Sequence, residues 1–320
     1  MEKQFVKDLK IGDTVHCDFV VTEKALVPFT QPNRAGEQFL RMQLSDRTGS
    51  LRAVAWDHGA QLGALFQVGD VVRIRGEVGN YHGPQLVVAG LTVVSADAIQ
   101  KDHFQRVAPR DKAEMIAELT SVLDMITEPS LARLMDSFFG DALFLKAYIE
   151  APAARSVHHN YVGGLLEHSL EVASLCRHFV VFHPELNRSL LLCGAILHDV
   201  GKIDEYETTG LTIELTTRGK LLGHIMMGLE MITQKVQELQ DIPRDLHLEL
   251  AHMILSHHGQ KEWGSPEIPK TFTAFALFHA DLVSARLNQF KLVSTKGAKV
   301  DGWTDWDRTL ERDIFLGLAE

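Results

Sequence analysis

The chain has 320 residues, 45% hydrophobic and 23% charged, with 24 Gly and 10 Pro. This is globular composition with length for one large domain or two smaller ones, each with its own core, and it excludes a disordered, collagen-like or disulfide-scaffolded chain. A formal net charge of −10 argues against a protein that coats duplex DNA or an anionic membrane. Three cysteines, Cys17, Cys176 and Cys193, with no CxxC pair, read as core residues in a reducing compartment. The first residues carry acids where a secretory signal needs an apolar run, and the longest apolar stretch, Leu190–Leu197, is too short to span a bilayer. The expectation is a soluble, cytoplasmic protein with no membrane partner. Sixteen histidines, about twice average usage, are the outlying number.

In chain order, five strands are expected first: Thr14–Thr22, Glu37–Ser45, Ser50–Trp56, Asp70–Gly79 and Pro84–Val94. Leu40, Met42 and Leu44 alternate with Phe39, Arg41 and Gln43, and Val72, Ile74 and Val78 oppose Arg73, Arg75 and Glu77, the period of a half-buried strand. Asp46-Arg47-Thr48-Gly49 and Asn80-Tyr81-His82-Gly83 are turn chemistry, and Ala60–Phe66 suits a short helix between strands three and four. That order is the one found in a small Greek-key barrel of the OB type; a generic five-stranded barrel is the plainer alternative. From about Asp111, punctuated by Pro109 and Pro129, the period turns to 3.6 over Val162–Phe182, Arg188–His198, Leu221–Leu239, Leu246–His257 and Phe272–Phe290. The expected fold is multidomain α+β: an OB-like barrel over 1–97, a linker over 98–115 and an all-α domain over 116–320.

If Leu40, Met42, Leu44, Leu51, Ala53 and Ala55 fill the barrel, then Phe39, Arg41, Gln43, Arg52 and Trp56 face outward. Rings for base stacking interleaved with arginines for phosphates are what single-stranded nucleic acid requires, and Tyr81, in the turn before strand five, joins this candidate set. Equally, Trp56 packs against the helix or the second domain and the arginines are simply solvated. Residues 1–98 hold 10 basic and 11 acidic residues, so the negative charge sits in the helical part.

There, the decisive pattern is histidine and aspartate on apolar helix faces. His168 shares a face with Leu165, Val172 and Leu175. His198 and Asp199 close a second helix. His224 sits between Leu221 (i−3) and Gly228 (i+4), and His257, with His258 beside it, follows Leu250, Met253 and Ile254. Asp281 is flanked by Leu277, Phe278 and Ala285. One inward histidine is usually a satisfied core residue, but an unpaired buried carboxylate is costly. Five helices aiming such groups inward point to a divalent cation. Mixed imidazole–carboxylate donors without thiolate suit Mn²⁺, Fe²⁺, Co²⁺, Zn²⁺ or Mg²⁺.

The set His168, His198-Asp199 and Asp281 resembles the HD phosphohydrolase superfamily, and His224 with His257-His258 resembles its two-metal members. The runs His158-His159-Asn160-Tyr161-Val162-Gly163-Gly164-Leu165-Leu166-Glu167-His168-Ser169 and Leu197-His198-Asp199-Val200-Gly201-Lys202 carry this likeness. Together with the barrel and its Leu44-Ser45-Asp46-Arg47-Thr48-Gly49 turn, they make nearly the whole chain resemble the YhaM-type 3′→5′ exoribonucleases. The resemblance implies one or two divalent ions, with Mn²⁺ or Co²⁺ favoured over Fe²⁺, Mg²⁺, Zn²⁺ or Ni²⁺. His168, His198, Asp199 and Asp281 would hold the first, and Asp199 would bridge to a second held by His224 and either His257 or His258. Metals there would activate water for in-line attack on phosphorus. Lys202 would add positive charge at the phosphate, or else be a surface helix-end lysine. His158, His159 and Asn160 would contact the substrate phosphate or cap their helix. The run Arg286, Lys291, Lys296 and Lys299 would steer a polyanion or lie solvated. His178, His183, His247, His252 and His279 are read as structural.

The leading expectation is a 3′→5′ exonuclease on single-stranded RNA or DNA that releases 5′ mononucleotides, with self-association left open. The alternatives are a phosphohydrolase of small or cyclic nucleotides with a regulatory barrel, and a non-enzymatic nucleic-acid-binding adaptor.

Overall fold

The computed structural model describes residues 3–34, 36–81, 83–100, 103–104, 108–154, 161–209, 212–295, 297 and 301–317. Two compact units divide it, Met1–Val107 with Thr208–Glu214, and Ala108–Glu207 with Leu215–Glu320. The change from one to the other falls inside the segment 98–115.

The first unit is a closed five-stranded barrel in the order β1-β2-β3-β5-β4, built from β1 (Thr14–Pro28), β2 (Gln38–Asp46), β3 (Gly49–Ala55), β4 (Val71–Asn80) and β5 (Pro84–Val93). Helix α1 (Gly59–Ala64) lies between β3 and β4 in sequence. All pairings are antiparallel except β3 with β5. Leu40, Met42, Leu44, Leu51, Ala53 and Ala55 are buried in the barrel core with Phe19, Val72, Ile74 and Leu86, as the alternation requires. Strand β1 runs six residues past the expected Thr22. Its register shifts between Val21 and Glu23, so the first half pairs with β4 and the second with β2. Such an irregularity bends one long strand around the barrel, and the charged pair Glu23-Lys24 hid the continuation.

The second unit is helical: α2 (Lys112–Asp124), α3 (Pro129–Phe139), α4 (Ala142–Glu150), α5 (Gly164–Phe182), α6 (Arg188–Leu197), α7 (Lys202–Glu205), α8 (Thr217–Leu239), α9 (Arg244–Ser256) and α10 (Phe272–Ser294). In sequence between α7 and α8 come two short strands that pair with each other, β6 (Tyr206–Thr209) and β7 (Thr212–Leu215), of which Thr208–Glu214 group with the first unit. Side-chain caps start most of these helices: Asp111, Glu128, Asp141, Asn187, Thr216 and Thr271 each accept from backbone N–H groups of the first turn. Helix α6 is buried from Ser189 to Leu197, with α5, α9 and α10 packed against it. Four helices thus converge where α6 ends. No helix among the described residues is long and apolar enough to cross a membrane.

One expected helix differs in kind. Leu221–Leu239 reads as continuous, but α8 is broken at Gly223, whose backbone (φ 71°, ψ 159°) is in a region that favours glycine. The i−3 relation between Leu221 and His224 therefore fails: Leu221 is 78% exposed, while His224 opens a new helical segment aimed at the end of α6.

Candidate metal centre

All seven proposed ligand residues meet in one place. His168 comes from α5, His198 and Asp199 follow the last turn of α6, His224 comes from α8, His257 and His258 follow α9, and Asp281 comes from α10. Two donor groups form, each with ligand atoms within 4.8 Å of one another: His168, His198 and Asp281, and His224, His257 and His258. Asp199 faces both. Its Oδ2 lies 3.3 Å from His198 Nε2 and 3.6 Å from His168 Nε2. Its Oδ1 lies 3.3 Å from His224 Nε2 and 3.6 Å from His257 Nε2. Asp281 Oδ1 is 3.1 Å from His168 Nε2. His257 and His258 converge together, so the choice between them does not arise from geometry.

The far side of each ring sets its tautomer. Carbonyl oxygens only accept, so His198 Nδ1–H donates to Ala195 O (2.9 Å) and His257 Nδ1–H to Ile254 O (2.7 Å). Ser284 Oγ donates to Glu171 Oε2 (2.7 Å) and therefore accepts from His168 Nδ1–H (3.1 Å). Glu205 Oε1 accepts from both the backbone N–H (3.0 Å) and Nδ1–H (3.2 Å) of His224. Each of these imidazoles turns an Nε2 lone pair inward. Holding the ring's other nitrogen in this way is how proteins orient metal-ligating histidines.

A cation fits these residues. His168 Nε2 and His198 Nε2 stand 3.2 Å apart, an arrangement that two lone pairs tolerate only with a positive charge nearby. Asp199 Oδ1, His224 Nε2 and His257 Nε2 are buried without a hydrogen-bond partner, a costly state that a divalent ion relieves. Burial pushes the imidazoles of His168 and His257 below their ordinary value. It takes His258, helped by the neighbouring His257 and His224, down to about 3. Burial would also lower His198, but the charge of Asp199 and Asp281 outweighs it and the net direction is upward. Burial would raise the two carboxyls; instead Lys202 and His198 hold Asp199 well below the usual range, and His168 and His198 do the same for Asp281. The centre thus offers carboxylates held toward the ionised form and, at His168, His257 and His258, imidazoles held toward the uncharged form, the states in which each binds metal.

Lys202 is not a surface lysine. It is buried, with Nζ 2.5 Å from Asp199 Oδ2. The chain gets there by a close approach: a Cβ on Gly201 would stand 2.1 Å from His224 O and 2.6 Å from Gly228 N, so only glycine lets α7 start against α8. Arg286 lies on α10 five residues beyond Asp281; its Nη1 donates to Thr309 O (2.6 Å), and its guanidinium lies 5.9 Å from the Trp263 ring. His158, His159, Asn160, Lys296 and Lys299 lie outside the described residues. Of the histidines read as structural, His252 Nε2 accepts from Lys270 N–H (2.9 Å), and His279 packs on Phe275 and Phe278.

On the barrel, Phe39 and Trp56 pack with their rings tilted, 4.8 Å between centroids, and Phe29 joins them at 5.2 Å and 6.2 Å. The Arg34 guanidinium lies 3.8 Å from the Phe29 ring and its Nη2 donates to Trp56 O (3.0 Å). Arg41 and Arg52 are exposed, and Arg52 Nη2 donates to Tyr81 O (2.9 Å), which ties the turn before β5 to the middle of β3. Phe29 and Arg34 escaped the sequence reading because they lie beyond the expected end of β1. Trp263 escaped because its three-residue 3₁₀ turn, Lys261–Trp263, has no periodicity to read.

Comparison with known proteins follows this division. Residues 165–286 match the HD domain family and residues 20–94 the OB-fold nucleic acid binding domain family. Across the chain, the 3′-5′ exoribonuclease YhaM of Listeria monocytogenes serotype 4b is 33% identical over 295 residues, 92% of this chain and 91% of that protein. YhaM of Oceanobacillus iheyensis is 33% identical over 255 residues, 79% of each. Among solved structures, the HD domain of the L. monocytogenes phosphodiesterase PgpH is 19% identical with a TM-score of 0.29, covering 46% of this chain and 74% of that one.

Proposed function

Because the chain belongs to the YhaM family of 3′-5′ exoribonucleases, we propose that it hydrolyses single-stranded RNA from the 3′ end, with residues 1–97 holding the strand, 98–115 joining the parts and 116–320 cleaving. Single-stranded DNA is the second substrate, 5′ mononucleotides the product, and the cytoplasm the setting. The observation that carries this reading is Asp199, one carboxylate with an oxygen toward each of two histidine groups.

His168, His198, Asp281 and Asp199 would hold one divalent ion, and His224, His257, His258 and Asp199 a second, with Mn²⁺ or Co²⁺ the favoured occupants. Bound there, the ions supply acidified water and charge stabilisation at the phosphoryl oxygens. In the overall reaction water adds to phosphorus, the bond from phosphorus to the 3′ oxygen breaks, and the shortened strand leaves with a 3′ hydroxyl. The residues of the chain prepare that step. Asp199 and Asp281 stay ionised, Glu205 and Ser284 fix the rings of His224 and His168, and Lys202 offsets the charge of Asp199 and stands ready at the phosphate. Arg286, with His158, His159 and Asn160, is assigned to the substrate phosphate. Phe39, Arg41, Arg52, Trp56 and Tyr81, joined by Phe29 and Arg34, are assigned to the strand.

A 5′-labelled single-stranded RNA incubated with Mn²⁺ tests this directly. The expected result is a stepwise ladder shortening from the 3′ end, abolished by EDTA and by Asp199→Ala. Internal cleavage, activity that survives EDTA, or turnover of free nucleotides alone would overturn it.

A further inference from the structure

Beside the ligands, the cavity at the centre has a second kind of wall. It has a volume of about 160 Å³ and is lined both by Asp199, Lys202 and the histidines and by the apolar Trp263, Phe278, Leu282 and Ala285. Polar donors facing apolar and aromatic surface is the pattern of a site for a group that carries charge at one end and a ring at the other. A nucleotide is such a group.

Trp263 is placed for the ring. It is 49% exposed, yet its turn is firmly built. Trp263 N–H donates to Gln260 O (3.1 Å), Ser265 N–H donates to the same oxygen (3.1 Å), and Ser265 Oγ, in a buried residue, lies 2.7 Å from Glu267 O. The carbonyl of Trp263 lies 3.3 Å from Nδ1 of the proposed ligand His258, so the indole and the donor group share one backbone turn. Phe278 stands beside the indole at 6.4 Å, and the Arg286 guanidinium, held by Thr309 O, lies 5.9 Å from the ring, within reach of a cation–π contact. An exposed ring on an ordered turn, steadied by an arginine, is a stacking platform with one face committed to the protein.

We propose that Trp263, backed by Arg286 and Phe278, is the stacking residue for the base of the 3′-terminal nucleotide, a substrate-positioning subsite that places the scissile phosphate over Asp199. This rests on the exonuclease reading above. At about 160 Å³ the cavity has room for a single base and not for a strand, so the base in it belongs to the chain end. Every base has a π face, so such a platform is tolerant of sequence, as the stepwise trimming of a strand needs.

The test is a cycle between protein and substrate. First-cleavage kcat/KM is measured, with Mn²⁺, for the wild type, Trp263→Ala and Trp263→Phe on two RNAs that differ only in whether the 3′-terminal nucleotide carries a base. Losing one stacked base costs roughly tenfold. The wild type should therefore lose about that factor on the abasic end. Trp263→Ala should lose it on the normal end and nothing further on the abasic one, and Trp263→Phe should keep most of the wild-type rate. Equal slowing of both substrates by Trp263→Ala, or no slowing of either, overturns the proposal. Quenching of 2-aminopurine riboside 5′-monophosphate separates the two readings, since it needs no turnover. Quenching by the wild type and not by Trp263→Ala, with no ladder from RNA, would keep the subsite and reject the exonuclease. A ladder with quenching that survives Trp263→Ala would do the reverse.

Discussion

The barrel and the helical unit use polar residues in opposite ways. In the barrel the core cluster is apolar, the one buried carboxylate among the described residues, Asp46, is satisfied by Val6 N–H and Thr48, and the candidate binding groups, Phe29, Phe39, Trp56, Arg41 and Arg52, lie on the outside. In the helical unit the candidate groups are inside: His168, His198, Asp199, Lys202 and His257 are all nearly fully buried. A surface platform costs the fold little and resembles ordinary surface. A buried cluster of ionisable groups costs desolvation at every member, so it persists only with internal pairing and a ligand that repays it.

Substitutions should separate the two regions, the largest effect first. Asp199→Asn removes the charge that both donor groups share; RNA turnover should fall to background while oligonucleotide binding, read by fluorescence anisotropy, stays at the wild-type level. Ser284→Ala removes the hydroxyl that accepts from His168 Nδ1–H, and losses of this kind run to roughly 10- to 100-fold in metal affinity. A competition titration against a metal indicator reads it, and an unchanged affinity would show that Ser284 does not orient the ring. Trp56→Ala acts on the other region. Strand binding should weaken by about 1–3 kcal/mol, while hydrolysis of a chromogenic phosphodiester too small to reach the barrel stays unchanged. The smallest effect is Tyr148→Phe, which removes a buried hydrogen bond to Ile196 O (2.7 Å). It should destabilise the helical unit by about 1 kcal/mol in thermal unfolding, with no change in metal content.

The same contrast explains what the sequence disclosed. Most of the inward donors are legible because 3.6-residue spacing ties them to apolar faces, and all seven meet in space. The barrel strands were legible through alternation, and their inward set is the buried set. Three things were not. Gly223 breaks a pattern that stays periodic across it, so His224 owes its position to a kink and not to a face. Helices α2, α3 and α4 follow one another too closely for period alone to separate them, and their starts are marked instead by the caps Asp111, Glu128 and Asp141. Lys202 is polar in any sequence scale, and only the approach of Gly201 to α8 shows that it is buried.

The central claim is that Asp199 serves two metal-binding groups at once. Metal content after reloading with Mn²⁺ and desalting, by inductively coupled plasma mass spectrometry, tests it in the wild type, Asp281→Ala, His224→Ala and Asp199→Asn. The account predicts about two equivalents per chain in the wild type, a loss of about one in Asp281→Ala and in His224→Ala, and a loss from both groups in Asp199→Asn. Full metal content in Asp199→Asn would contradict it.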